Sequence, residues 1–191
     1  MMEIEDLLEV TTQAELLTWL AQNYKTEKVC WVTVSIKPEP NKLQYLDAVE
    51  AALCFGWVDS TKKKLSDTQT VQRLSPRSKK SNWTELNKER VRRLERLNLM
   101  TDAGRAVLPN MDISSFLIDS EIKDRIENEP VLVEKFTELP ELYTRICIDT
   151  IQSVRDDRET YEKRLNKFLE SLREGKIIGQ WHDNGRLWPI D

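Results

Sequence analysis

The chain has 191 residues, 32% of them charged and 39% hydrophobic, with 29 basic and 33 acidic side chains and a net charge of −4. This length fits one compact domain, or a domain with a helical extension, that can bury a core without disulfides or a metal. The single histidine, His182, argues against His-paired catalytic dyads and multi-histidine metal sites. We therefore expect neither a metal nor another cofactor.

Cysteine usage and the N-terminal sequence both indicate the cytoplasm. Cys30, Cys54 and Cys147 are odd in number and form no C-x-x-C pair, which is typical of a reducing compartment. The N-terminal sequence MMEIEDLLEV has neither the basic region nor the apolar region of a secretory signal. No apolar run approaches the roughly 20 residues that span a bilayer. We expect a soluble cytoplasmic protein without a transmembrane segment.

The charge is concentrated in the middle of the chain. Residues 61–105 contain thirteen basic and five acidic side chains, a net of +8, whereas the other residues contain 16 and 28, a net of −12. Such a basic segment attracts phosphates, carboxylates or nucleic acid. The simpler interpretation is a solvated surface that pairs with the acidic flanks.

The first half of the chain alternates between helical and strand periodicity. Residues 12–23 predict a short amphipathic helix, and residues 29–37 alternate as a half-buried strand does. A second helix is predicted from about Leu43 to Cys54, because Gly56 is a natural C-terminal stop. These elements favour an α+β fold.

Two further strands are predicted at 57–61 and 70–75, joined across residues 64–69. If Val58 and Leu74 face the core, strand parity places four residues on the other face: Trp57, Asp59, Arg73 and Ser75. The result is a small antiparallel sheet of about three strands packed with helices.

A third helix is predicted to start near Asn82, with Asn82 as its cap and Glu85 completing a capping box. Beyond a linker near Pro109, the chain is acidic and helical, with a buried stripe in the last helix: Tyr161, Leu165, Phe168, Leu169 and Leu172. We therefore divide the chain into an α+β core, 1–110, and a helical C-terminal region, 111–191.

Candidate site residues crowd into the segments 52–60 and 72–83. An arginine fork beside a tryptophan face and a helix N-terminus suits a planar anion. The set predicted to bind such a ligand is Cys54, Trp57, Asp59, Arg73, Arg77, Ser81, Trp83 and Asn87. The alternative is structural: Asp59 pairs with Arg73 across the strands, the tryptophans form a packed layer, and Cys54 is a small core residue.

A third segment, RETYEKRL at 158–165, also stands out. Its charges stabilise an exposed helix, or Arg158 and Arg164 form a docking face in an acidic region.

Four motifs occur in order along the chain. They are ALCFGWVD at 52–59; PR at 76–77 with Ser81, Trp83 and Asn87; LMTDAG at 99–104; and ET at 159–160 with Arg164, Leu165 and the later Gly175-Lys176. Together they resemble the YdeI/OmpD-associated family, also called bacteriocin-protection proteins. The resemblance implies a small soluble protein connected with bacteriocin or cationic-peptide resistance, and it implies no reaction.

The leading hypothesis is a bacterial binding protein, not an enzyme, for a small anionic ligand or a protein partner in bacteriocin, cationic-peptide or envelope-stress protection. One alternative is nucleic-acid binding through residues 61–105 with tryptophan faces as stacking platforms, which the acidic remainder disfavours. Another is an enzyme that uses Asp59 or Cys54.

Overall fold

The computed structural model describes residues 7–65, 69–78 and 81–187. Within these ranges the contacts divide the chain into two units, the first up to Asn82 and from Arg90 to Pro109, the second from Trp83 to Glu89 and from Asn110 onward. The segment 83–89 therefore belongs with the C-terminal region. The middle of the predicted hairpin connection, 66–68, and Lys79 and Lys80 of the basic segment lie outside the described residues, as do 1–6 and 188–191.

The first unit is α+β, as predicted. Its helices are α1 (Gln13–Asn23), α2 (Tyr45–Cys54) and the short α4 (Asp102–Arg105), and α3 (Glu85–Arg96) begins in the second unit and continues into the first. Its strands are β1 (Leu7–Leu8), β2 (Cys30–Val34), β3 (Trp57–Lys64) and β4 (Thr70–Pro76), in the order β1-β2-β4-β3. The three predicted strands pair antiparallel, and β1 adds a fourth strand that runs parallel to β2.

The core of the first unit lies between its helices and one face of the sheet. Helix α1 begins with a capping box in which Thr12 and Glu15 satisfy each other's backbone N–H groups, and its Leu16 and Leu20 are fully buried. They pack in one cluster with Cys30, Val32 and other residues of α2 and the sheet. The sequence predicts a half-buried strand here, with the face that carries Trp31 exposed. This is wrong for Trp31, which is only 8% exposed, so β2 is covered at this position on both faces.

The predicted parity of the hairpin is wrong. Residues that pair across antiparallel strands share a face, and Asp59 pairs with Leu74, which also pairs with Cys30. Trp57 and Asp59 therefore lie on the core face, whereas Val58 pairs with Ser75 on the face of Arg73. A shift of one residue moves a whole strand to the other face, and the separate patterns of two strands do not determine their register.

Strand β3 forms one edge of the sheet. Its pairing with β4 is interrupted by a bulge between Asp59 and Lys62, and the strand ends in Lys62, Lys63 and Lys64. Lys63 lies over the ring of Trp31, with its Nζ atom 4.8 Å from the ring centroid. Lysines and bulges are common at sheet edges because they hinder pairing with another chain.

The second unit is helical, as predicted for the C-terminal part. It contains α5 (Ser120–Glu127), α6 (Pro130–Thr137), α7 (Glu141–Gln152) and α8 (Arg158–Arg173), with short 3-10 turns at Ile113–Ser115 and Asp183–Gly185. The predicted stripe of α8, from Tyr161 to Leu172, is buried, and Trp181 joins the same cluster. None of the helices in the described part of the chain has the length and apolar character that a membrane span requires.

Candidate functional site

The eight predicted site residues are divided between the two units. Trp83 and Asn87 belong to the second unit, and the other six belong to the first: Cys54, Trp57, Asp59, Arg73, Arg77 and Ser81. Within the first unit these six are further separated by burial and by the faces of the sheet.

Trp57 and Cys54 are core residues. Trp57 is 1% exposed and packs edge-on against Trp19, with ring centroids 6.0 Å apart. Cys54 is also 1% exposed, and burial raises the pKa of its thiol to about 12. A thiol with this pKa stays protonated at neutral pH, so Cys54 is poorly suited to act as a nucleophile.

The backbone of Cys54 has a structural task. Its carbonyl oxygen accepts hydrogen bonds from the Thr101 hydroxyl at 2.6 Å and from the Thr101 N–H at 3.2 Å. The same hydroxyl accepts from the N–H of Gly104 at 3.3 Å and thereby caps α4. A Cβ atom on Gly104 would lie 2.4 Å from the Cys54 oxygen, so this contact requires glycine. The motifs ALCFGWVD and LMTDAG thus join the end of α2 to α4.

Asp59 and Arg73 lie on opposite faces of the sheet and do not pair, contrary to the cross-strand ion pair considered from the sequence. The Asp59 carboxylate accepts a hydrogen bond of 2.7 Å from the hydroxyl of Tyr45. The Arg73 guanidinium donates to the hydroxyls of Ser60 and Ser75 at 3.3 and 3.0 Å.

Arg77 is 7% exposed and is held at the end of β4. Its side chain donates to the carbonyl of Asn82 at 3.0 Å, and its backbone N–H donates to the carbonyl of Gly56 at 3.0 Å. Burial lowers the pKa of its guanidinium, and the charge of Asp59 opposes that shift. Ser81 is half-buried, and its hydroxyl accepts from the N–H of Ser78 within a turn.

Trp83 and Asn87 are half-buried around the start of α3. The predicted cap is wrong: the Thr84 hydroxyl accepts from the Asn87 N–H at 3.2 Å, and the Asp149 carboxylate of α7 accepts from the Glu85 N–H at 2.9 Å. Burial raises the pKa of Asp149. A local sequence pattern cannot reveal a cap that comes from 64 residues away.

The second unit contains a buried charge network that the sequence did not reveal. Arg145 donates to the carboxylates of Glu85 at 2.9 Å and Glu89 at 3.3 Å, and Lys88 binds Glu85 at 2.8 Å. All three members of the Arg145 group are less than 10% exposed. They lie on α3 and α7, on helical faces that would be read as solvated from charge alone.

The second unit also contains a cavity of about 240 Å³ beside α7 and α8. Its lining is mainly apolar: Leu86, Ile146, Ile151, Phe168, Ile178 and Trp181. The segment 178–181 is held in place because Ile178 donates its N–H to the Tyr143 hydroxyl at 3.3 Å, and Trp181 packs edge-on against the Tyr143 ring.

Two cations of α8, Arg164 and Lys167, also line this cavity. Arg164 donates through Nη1 to the carbonyl oxygen of Thr150 at 2.6 Å. Across the described part of the chain, neither cation forms an ion pair, whereas Arg125, Arg158 and Arg173 of the same unit all do. The sequence had singled out Arg164, but it gave no sign of Lys167, Thr150 or Cys147.

Cys147 lines the same cavity and is half-buried. Burial raises the pKa of its thiol to about 11, so the thiol is protonated at neutral pH. The residue contributes apolar surface to the cavity wall.

The family of the chain follows from its first unit. The family model described as Domain of unknown function (DUF8412) matches residues 8–107. The chain belongs to this family. No curated protein and no solved structure matches the chain. The DUF8412 match ends before α5, so the cavity lies largely outside the matched residues, and the resemblance to the YdeI/OmpD-associated family stays a prediction.

For this DUF8412 protein, two tryptophans of the sheet are not accessible to a nucleic-acid base. Trp31 and Trp57 are 8% and 1% exposed, so neither presents a ring face on which a nucleic-acid base would stack. Among the residues that the structure describes, no group of three His, Cys, Asp or Glu side chains is arranged to hold a metal ion.

Proposed function

We propose that this DUF8412 protein is a non-catalytic binding protein for a small amphipathic anion, and that the ligand occupies the cavity beside α7 and α8. The observation that carries the proposal is the combination of an apolar cavity of about 240 Å³ with two cations in its lining. Binding sites for small molecules are typically concave and mainly apolar, with a few polar groups that fix orientation.

The ion pairs of the second unit support an anion. Arginines elsewhere in this unit are engaged by carboxylates, as Arg158 is by Glu121 and Glu162. Arg164 and Lys167 have no such partner among the described residues. A bound anion would supply the missing negative charge.

The contacts of the first unit favour binding over catalysis. Cys54 is protonated and packed, and Asp59 is hydrogen-bonded to Tyr45. The proposed ligand is the small anion expected from the sequence. Its proposed site is the cavity of the second unit and not the set of eight predicted residues.

The cellular role we propose follows from the motif resemblance. It is protection against bacteriocins, cationic peptides or envelope stress, exerted in the cytoplasm through the bound ligand or a protein partner. Support comes from the order of the four motifs and from Arg164, a motif residue that lines the cavity.

Titration with octanoate, followed through the indole N–H resonance of Trp181, tests the proposal. We expect a saturable shift, because Trp181 lines the cavity, and no comparable shift with acetate, which lacks an apolar tail. Thr150→Trp should weaken binding of octanoate at least tenfold by filling the rim of the cavity.

Lys167→Met tests the charge and should weaken octanoate binding about two- to fivefold, because an exposed ion contributes modestly. Lys163→Met is the matched control, since Lys163 is exposed on the same helix and does not line the cavity. Octanoate, octyl sulfate and octyl phosphate that all leave the Trp181 resonance unmoved would contradict the proposal.

A further inference from the structure

We infer that the ligand's head group is a carboxylate bound side-on by the guanidinium of Arg164, with Lys167 as a second cation and an apolar tail of about eight non-hydrogen atoms in the cavity. The inference rests on the proposed function and names the class of ligand that this site would take. It is carried by the geometry of arginine–carboxylate pairs within the same protein.

Arg164 is anchored through one end of its guanidinium. Its Nη1 atom donates to the Thr150 carbonyl oxygen at 2.6 Å, and this contact fixes the side chain against the C-terminal half of α7. Nε and Nη2 form the other edge of the fork, and no described residue accepts a hydrogen bond from either atom. This edge is the one that binds a planar carboxylate through two parallel hydrogen bonds.

Two other arginines show what this edge does in this protein. Arg105 uses Nε and Nη2 to bind both oxygens of Glu95, each at 2.8 Å. Arg173 binds both oxygens of Glu129 in the same way, at 2.9 and 2.6 Å. Arg164 therefore has the donors of a carboxylate site but lacks the carboxylate.

Asp157 is the carboxylate whose pKa the charge of Arg164 affects, and it already has hydrogen-bond partners. The pKa of Asp157 is lowered mainly by hydrogen bonds from Thr160, with a smaller contribution from the charge of Arg164. Its carboxylate caps α8 by accepting from the N–H and the hydroxyl of Thr160 at 3.1 and 2.6 Å. A cap held by two hydrogen bonds stays in place, so Arg164 remains available to a ligand.

Lys167 lies one helical turn beyond Arg164 and lines the same cavity. An ammonium group is a compact charge without a preferred plane, so it complements a carboxylate that the guanidinium already orients. Two cations suit one anionic head group in a site whose other walls are apolar.

The volume of the cavity limits the tail. At about 30 Å³ for each water-sized group, 240 Å³ holds about eight non-hydrogen atoms. The walls that would contact the tail include Phe168, Trp181 and Ile146, which are all less than 6% exposed. An alkyl chain of about eight carbons, or an aryl-alkyl group of similar size, fits this description.

The test compares three ligands with the same tail: octanoate, octanamide and octyl sulfate, titrated calorimetrically against the full chain. We expect octanoate to bind at least tenfold more tightly than octanamide, because only the carboxylate uses the guanidinium edge. We also expect octanoate to bind more tightly than octyl sulfate, since the planar head matches the fork.

Arg164→Lys keeps the charge and removes the fork. It should reduce octanoate affinity about tenfold or more and leave octanamide affinity unchanged, whereas a purely structural role of Arg164 would weaken both ligands equally. Arg158→Lys is the matched control on the same helix, because Arg158 is exposed and does not line the cavity.

Equal loss of both ligands in Arg164→Lys, or tighter binding of octyl sulfate than of octanoate, would overturn the carboxylate assignment and leave the proposed function standing. If none of the three ligands bound the native chain or shifted the Trp181 resonance, the proposed function itself would fail. The two failures are therefore distinguishable.

Discussion

The two units use their distinctive residues in different ways. In the first unit, the motifs ALCFGWVD and LMTDAG contact each other. The Cys54 carbonyl oxygen accepts a hydrogen bond from Thr101, and Gly104 packs closely against the same oxygen. In the second unit, two cations stand at a cavity without a carboxylate partner among the described residues. A dense sequence motif can therefore mark a packing contact, while the better candidate for binding lies in a segment with little local pattern.

If this contrast is correct, substitutions in the motif contacts reduce stability and spare ligand affinity, whereas substitutions at the cavity do the reverse. Substitutions in the buried network of Arg145 form a third class, because there the stability of the second unit depends on charge. Four substitutions test these statements.

Arg145→Met should destabilise the protein by about 3–5 kcal/mol, because it removes the buried cation that Glu85 and Glu89 share. Urea denaturation followed by circular dichroism measures the effect. Arg158→Met removes an exposed arginine of the same unit and should change stability much less. Equal losses of stability in the two variants would show that the buried Arg145 network contributes no more than an exposed ion pair.

Gly104→Ala should cost about 2–3 kcal/mol, since its Cβ would lie 2.4 Å from the Cys54 oxygen and the backbone would have to move. The free energy of unfolding is the readout. Gly175→Ala is the control: it has a positive φ but no atom within 4 Å, so about 1 kcal/mol is expected. Octanoate affinity should be unchanged in both folded variants.

Thr101→Val should destabilise by about 1–2 kcal/mol, because it removes a 2.6 Å hydrogen bond to Cys54 and the cap of α4. Thr18→Val is the comparison, since Thr18 is an exposed helical residue whose hydroxyl bonds only within its own helix. Its stability should change by less than about 0.5 kcal/mol. A Thr101 variant as stable as wild type would remove the structural explanation of the LMTDAG motif.

Asp149→Asn should change how stability depends on pH. Burial raises the pKa of Asp149 in the folded state, so its ionisation costs stability as the pH rises from the unfolded pKa through the folded one. The variant keeps an oxygen for the Glu85 N–H and loses this cost. Stability curves of the two proteins should therefore separate as the pH rises through this range; parallel curves would contradict the assignment.

Periodicity predicted most helices and strands because each depends on local pattern. The stripe of α8 is an example, since burial on one face leaves a visible repeat. The register of β3 against β4 was not predictable, because it depends on the bulge after Asp59 and on the connection between the strands.

The candidate site was harder to predict than the fold. Arg164 was visible as part of a motif, but the cavity is made by residues of α3, α7, α8 and the segment 178–181, which are distant in sequence. The capping role of Asp149 and the burial of Arg145 could not be predicted for the same reason, because each depends on which helical faces pack together. Helical spacing gives the face of a helix but not its neighbour.

The edge strand β3 bears on the behaviour of this protein at high concentration. An edge with free backbone groups is a template on which identical chains assemble into extended sheets. Three consecutive lysines give two approaching copies like charges at the same edge, and the bulge after Asp59 interrupts the straight run of donors and acceptors. The lysines at 62–64, which belong to the basic segment 61–105, are therefore of the kind that hinders edge-to-edge pairing.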